Sequence, residues 1–321
     1  MSVGLRKKHS AQPTTVFDLS ERDFMTITAN LVKELRERTG SGMMECKKAL
    51  VETNGDIDAA ITLMRERGQA KADKKASRVT AEGIVMIVLS TDQKSAVLLE
   101  VNCETDFVAK GSHFVDFVKH AAYAALAHKV SEVAALVVLP HQKGSAETVE
   151  EARQQLISKV GENITIRRLY FMSSEEAIGS YIHNSRIGVL VAVIGGDAEL
   201  RKDLAMHIAA NNPMVLMPSE VSGDSVAKER EIFLAQAQSS GKPADIIEKM
   251  VAGRIKKYCD EVSLLGQPFV KKPELTVSQL LQEKGAKVSA FVRYAVGEGI
   301  EKPSSDFASE IMAQVRSGDK S

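Results

Sequence analysis

The 321-residue sequence contains no tryptophan, and aromatic side chains make up only 5% of it, so the few rings present stand out by their position. Cysteine is equally scarce. Cys46, Cys103 and Cys259 are odd in number and far apart, which fits a reducing compartment and speaks against a disulfide framework or a zinc site. Neither sign of charge is in excess, with 42 Lys+Arg against 42 Asp+Glu. No global field therefore draws the chain onto nucleic acid or an anionic membrane, although a local basic patch is compatible with that balance. No apolar run approaches the length of a membrane span. The basic cluster Arg6, Lys7 and Lys8 has no apolar stretch behind it, as a secretory signal would. What is present, 44% hydrophobic and 26% charged residues, is ordinary for a soluble globular protein with room for two or three modules.

Residues 1–24 lack periodicity and read as a poorly ordered extension. Asp18, Glu21 and Asp23 disfavour a transit peptide, and Met25 is a second candidate start. Three short helical patterns follow in 25–68. Ile27, Leu31, Val32 and Leu35 stripe the first, and Met43, Cys46, Ala49 and Leu50 the second. Asp56 is placed as the cap of a third, striped by Ile57, Ala60, Ile61 and Met64 and ending at Gly68. Each is too short to stand alone, so the three are expected to pack together. A polar, basic link covers 69–80.

The pattern then changes to strands. "GIVMIVLS" and "SAVLLEVN" flank a turn at 91–94, an apolar helix runs from Phe114 to Leu126, and a polar stretch at 141–155 leads through a helix ending at Val160 to the strand "ITIRRLYF". The same grammar returns in "GSYIHNSRIGVLVAVIGG", a hairpin turning near Asn184-Ser185, followed by a helix Leu200–Ala210. The expected fold class is α+β, with a core of two related subdomains, 81–172 and 173–214 plus 264–300. Within the second of these, 215–263 reads as an inserted antiparallel helical hairpin broken at "SSGKP". In 301–321, Phe307, Ile311, Met312 and Val315 stripe a C-terminal helix.

Enzymatic constellations are missing. Gly241-Lys242-Pro243 lacks the Ser/Thr a phosphate-binding loop needs for magnesium, and "VIGGDAEL" lacks the G-x-G-x-x-G spacing. The glycines around Ser41 do not form a nucleophile elbow. His113, His120 and His128 are spaced by seven and eight, not by the one turn of paired metal ligands. The sequence thus points to binding rather than catalysis, with no cofactor or metal expected.

Three features offer themselves as binding surfaces: Met43-Met44 between glycines, Asp106-Phe107 where a strand gives way to a helix in "VNCETDFVAKG", and His183 at a hairpin tip. Each has a plainer reading. The methionines can be core, His183 a turn residue, and Asp106-Phe107 a helix cap followed by the first buried aromatic.

Longer stretches decide between these. "LVKELRERTGSGMMECKKALVETNGDIDAAI" resembles a ubiquitin-associated-type module and, more closely, the N-terminal domain of the bacterial elongation factor Ts family. "EVNCETDFVAK", "KVGENITIRR", "GSYIHNSRIGVLVAV", "MHIAANNP", "VSLLGQPFV" and "VGEGIEK" resemble that family's signatures in the family's order, covering about 26–303. Departures are the extension before Met25, a longer polar segment near 139–150, and Ser41 and Glu45 where the family often has Ala and Asp.

The resemblance implies a cytoplasmic guanine nucleotide exchange factor for elongation factor Tu, binding it GDP-bound and nucleotide-free, without covalent chemistry. It implies that Thr105, Asp106, Phe107 and Val108 enter the partner near its Mg²⁺ site, and that Arg36, Met43, Met44 and His183 make further contacts. No direct nucleic-acid or membrane contact is expected. The helical hairpin has three candidate roles: projecting freely, joining two copies as a homodimer, or touching the partner. Two competing readings are a pure interaction protein built on 26–68 and an RNA- or ribosome-binding protein using Lys71, Lys74, Lys75 and Arg78.

Overall fold

The computed structural model describes residues 27–238 and 243–301, which form one compact unit up to Glu66 and another from Arg67. The expected extension at 1–24, the break at 239–242 and the C-terminal helix after 301 lie outside the described residues.

In the first unit, α1 (Ala29–Thr39) is capped by Thr28, whose hydroxyl accepts from the Leu31 amide. It stops at Gly40, where φ of 64° suits glycine and turns the chain towards α2 (Met43–Glu52). Val32 and Leu35 pack with Cys46, Ala49, Leu50 and Ala60 of the third helix, α3 (Ile57–Lys75). Met43 does not join this core as its spacing suggested. Gly42 starts the helix at Met43, whose side chain is 59% exposed, beside Met44 at 67%.

The third helix is also longer than expected. Gly68 was placed as its end and 69–80 as a link, yet the helix continues to Lys75. Residues 69–75 are good helix formers, and one interior glycine costs only about 1 kcal/mol. Tertiary contacts offset that cost: Ala72 is buried in the second unit's core, and Lys71 donates to the Ser158 hydroxyl at 3.3 Å.

The second unit is a mixed, α+β arrangement built on two antiparallel sheets. Strands β1 (Glu82–Leu89), β2 (Ser95–Cys103) and β3 (Ile164–Ser173) pair in the order β1-β2-β3. Strands β4 (Ile178–His183), β5 (Ile187–Ile194) and β8 (Lys287–Ala295) pair in the order β4-β5-β8. The central strands are covered on both faces and largely apolar, with Glu100 and Asn102 of β2 as buried polar exceptions. Val85, Leu98, Met172, Leu190 and Ala192 meet between the sheets. Val97, Leu99 and Val101 face helices α4 (Asp106–Lys110), α5 (Ser112–His128), α6 (Val133–Val137) and α7 (Val149–Val160). Val189, Val191 and Val193 face α8 (Ala198–Asn211) and, beyond the short strands β6 (Pro268–Phe269) and β7 (Lys272–Thr276), α11 (Val277–Glu283).

Helix α7 begins inside the stretch expected to be irregular. Thr148 and Glu151 form a reciprocal capping box, a T-x-x-E signal that starts the helix at Val149. Helices α9 (Gly223–Gln238) and α10 (Ala244–Val262) pair side by side, with Arg254 donating to Gln236 at 2.8 Å and lying over the Phe233 ring. Their burial is slight: only Ala237 and Val251 of the described residues of the two helices are buried, and Ile232, Leu234 and Ile246 stay exposed.

Candidate functional site

The site is assembled where β2 ends. Strand pairing stops at Cys103, and Thr105 takes up an extended conformation, φ −123° and ψ 157°, as the cap of α4. Its hydroxyl accepts from the Val108 amide at 3.4 Å, satisfying one donor of the first turn. Of the four residues that follow, Val108 packs against the first sheet's core and Ala109 is buried within it. This fixes the direction of the helix. Phe107 then falls on the outer side and is 83% exposed, the most exposed of the large hydrophobic side chains among the described residues. The reading of Phe107 as the first buried aromatic therefore fails, because Val108 and Ala109 take that role. Asp106 projects beside it and is held by Lys110, one turn on, at 2.6 Å.

This exposed pair sits on a stiff mount. The Glu162 carboxylate receives the Thr105 amide at 2.9 Å and the Thr105 hydroxyl at 2.7 Å. The Thr105 carbonyl accepts from the Cys103 thiol at 3.1 Å and from the Ala109 amide at 3.3 Å. Burial, followed by the negative charges of Glu162 and Glu82, pushes the Cys103 thiol up to about 12. It stays protonated near neutral pH and serves as a donor, not as a nucleophile. The Glu104 carboxylate accepts from the Asn163 amide at 2.6 Å and pairs with Arg78 at 3.4 Å, while the Asn163 side chain reaches the carbonyls of Ala76 and Arg78.

His183 closes β4 and is exposed. Its ring is held on both sides, by the Asn184 side-chain nitrogen at 3.3 Å from Nε2 and by the Tyr181 hydroxyl at 3.1 Å from Nδ1. Its turn is held against β1: the Val85 amide donates to Ser185, and Arg186 pairs with Glu82. Glu82 lies opposite Cys103, so the His183 turn and the Asp106-Phe107 pair leave the sheets at the same end. Arg36, exposed on α1, and Met43 and Met44 in the first turn of α2 belong to the first unit. Among the described residues there is no group of three or more side chains able to hold a metal ion. No helix among them is long and apolar enough to cross a membrane.

Sequence reasoning assigned no role to Glu162, Asn163 or Cys103. "KVGENITIRR" and "EVNCETDFVAK" stood out as stretches, but Glu162 in the loop and Thr105 at the helix start are 57 residues apart. No local pattern announces such a pairing.

Comparison with known proteins adds the context. A family model described as elongation factor TS matches residues 104–298, from the start of this site to the end of the second sheet. The elongation factor Ts of Methylococcus capsulatus is 57% identical over 293 residues, covering 91% of this chain and 99% of the relative. Those of Legionella pneumophila and Thioalkalivibrio sulfidiphilus are each 56% identical over 91% of this chain and 99% of theirs. With most of both chains aligned at that identity, and with the motifs around Thr105–Val108 inside the matched region, the chain belongs to the elongation factor Ts family of translation elongation factors.

Proposed function

We propose that this chain acts in the cytoplasm as a guanine nucleotide exchange factor for elongation factor Tu, with Asp106-Phe107 as its wedge. The observation that carries the reading is an aromatic ring left in water on a helix start whose backbone is fixed on every side. An exposed Phe on a mobile tail would lose much of its binding energy to ordering. On this mount the ordering has already taken place.

Entering between helices of the partner's GTPase domain, Phe107 would gain about 1.5–3 kcal/mol of apolar burial, available to separate them. Asp106 would compete for hydrogen bonds and water around the Mg²⁺ that holds the nucleotide phosphates. Mg²⁺ and nucleotide belong to the partner, and no covalent step is needed. A factor that binds the empty partner more tightly than the loaded one must weaken nucleotide binding by the same ratio. Exchange is therefore accelerated in both directions, and the cellular excess of GTP sets the direction.

Thr105 and Val108 belong to the wedge as its cap and its anchor. His183 would meet a second domain of the partner, and Arg36, Met43 and Met44, on a three-helix unit of ubiquitin-associated type, would grip the GTPase domain. The helix pair α9–α10 would serve as a hairpin inserted within the second of two related subdomains, after α8 and before β6. Contact through several modules favours a domain rotation over a single local displacement.

The test is the release of a fluorescent GDP analogue from elongation factor Tu under excess unlabelled nucleotide. Native chain should accelerate release in a concentration-dependent way, and Phe107→Ala should remove most of the acceleration while keeping the melting temperature. A folded native chain without effect would sink the exchange reading. A fully active Phe107→Ala would sink the wedge alone.

A further inference from the structure

A helix start normally completes its own capping box. The cap hydroxyl takes the amide of the third helical residue, and that residue, a Glu or Gln, reaches back to the amide of the cap. In α4 the third residue is Val108, which has no polar atom and is committed to the core. The Thr105 amide would be left unpaired, but the Glu162 carboxylate, arriving from the α7–β3 loop, takes both that amide and the Thr105 hydroxyl. The hydroxyl, with its proton given to Glu162, turns a lone pair to the Val108 amide. The box is completed in trans, by a loop distant in sequence.

We infer that Glu162 is the positioning residue of the exchange wedge, holding the first turn of α4 at the angle that presents Phe107 and Asp106. This rests on the exchange reading above. Three features support it. Both oxygens of the carboxylate are engaged by Thr105, one by its amide and the other by its hydroxyl. The loop carrying it is itself pinned: Gly161 closes α7 with φ of 82°, its carbonyl accepts from Lys75, and the Asn163 side chain is bonded to Ala76 and Arg78. Val108 and Ala109 anchor the inner side of the turn and the Cys103 thiol its first carbonyl, so the Thr105 amide and hydroxyl on the outer side are held by Glu162. A wedge that must separate packed helices transmits force only if its base does not give way, and small misplacements of such groups are costly in rate.

The same release assay, run on the full chain over a range of concentrations, separates maximal rate from half-saturating concentration. Glu162→Ala should lower the maximal rate about tenfold, with the half-saturating concentration changed less than about twofold, because Phe107 itself is still present. Glu162→Gln, which keeps one acceptor for the amide, should fall between the two. Thr105→Val, which removes the hydroxyl that Glu162 and the Val108 amide share, should lose most of what Glu162→Ala loses. Should Glu162→Ala melt at a much lower temperature, Glu162→Gln and Thr105→Val carry the test. Hydrogen exchange gives a readout independent of the partner: the Thr105 amide should lose protection in Glu162→Ala while the amides of β2 keep theirs. Native-like maximal rates in Glu162→Ala and Thr105→Val, with the native chain active, would overturn the inference. So would a loss confined to the half-saturating concentration. An inactive native chain would instead overturn the exchange reading, leaving the amide protection to decide whether the clamp exists.

Discussion

The two sheets of the second unit answer the same folding problem with different chemistry. In each, a hairpin supplies an edge and a centre strand, a helix returns across the outer face, and a third strand closes the other edge. In each, the pairing of the second and third strands is broken at one place, between Glu100 and Val101 in the first sheet and between Ala192 and Val193 in the second. At that shared position Glu100 faces Arg168, whereas Ala192 faces Ala290. The residue set out of register is Arg167 in one, donating to Glu100, and Ser289 in the other, donating to the carbonyl of Ala192. The join to the outer helix differs as well. After β5 it is Gly195-Gly196 and an Asp197 cap, and after β2 it is the short extra helix carrying Phe107. One half closes its irregularities with small uncharged residues and a tight glycine turn, and the other fills them with charge and an exposed ring.

If the charge in the first half is structural, removing it should give the largest effect. Glu100 is completely buried, bonded to Arg167 at 3.0 Å, Arg168 at 2.6 Å and the Gly297 amide at 2.8 Å. It ties the first sheet to the chain leaving β8. Glu100→Ala should cost about 3 kcal/mol in urea unfolding, at the low end for a broken buried pair because both arginines keep some contact with water. Burial alone would raise the Glu100 carboxyl, but the Gly297 amide, Arg168 and Arg167 outweigh it and hold the carboxyl below its ordinary 4.5. Its contribution is therefore complete above 4.5 and is lost as pH falls from there towards the folded-state value. Glu100→Gln should lack that part of the acid dependence. A Glu100→Ala variant as stable as native would show the charge cluster to be ornament to the fold.

The tightness of the other half gives the next effect. Counted back from the irregularity, Gly188 in β5 corresponds to Ala96 in β2, and both lie between the sheets. A Cβ at Gly188 would come within 2.5 Å of the Val85 side chain and 2.7 Å of that of Leu98. Gly188→Ala should therefore cost about 1–3 kcal/mol by overpacking. Ala96→Gly should cost less, about 0.5–1 kcal/mol, through chain entropy. Equal costs at the two positions would mean that the sheets separate easily and that the comparison has no steric content.

How much of this the sequence discloses follows from how local each signal is. Strands β1, β2 and β5 and helix α5 were legible because runs such as "SAVLLEVN" and the Phe114–Ala125 stripe carry their own period. The Asn184-Ser185 turn was legible because both residue types are common in turns and Asn tolerates the positive φ of 49° found at Asn184. The continuation of α3 past Gly68 was not, since it depends on Ala72 finding a core far along the chain. Nor did periodicity identify Met43 as exposed, because the helix-starting Gly42 and the size of the small core decide that. For the site, Asp106 and Phe107 were legible as an oddity of position. Glu162, whose carboxylate bonds run across 57 residues to Thr105, was not.

The smallest effect contrasts the two helix starts themselves. Asp197 caps α8 from its own chain, its carboxylate accepting from the Leu200 amide at 2.7 Å. That bond, aided by Lys284 and Arg201, holds its carboxyl below the ordinary 3.8. Asp197→Ala should bring a small fall in melting temperature, fully present above pH 3.8 and fading as pH falls from there towards the lower folded-state value, because protonation weakens the cap. GDP release should be unchanged, since α8 meets its sheet through Leu200, Leu204 and Ile208 and presents no exposed ring at its start. Thr105 occupies the corresponding place before the first outer helices, and its loss should act mainly on release. If Asp197→Ala slowed release as much as Thr105→Val, both caps would be serving the stability of the whole unit, and the first half would have no privileged role in presenting the wedge.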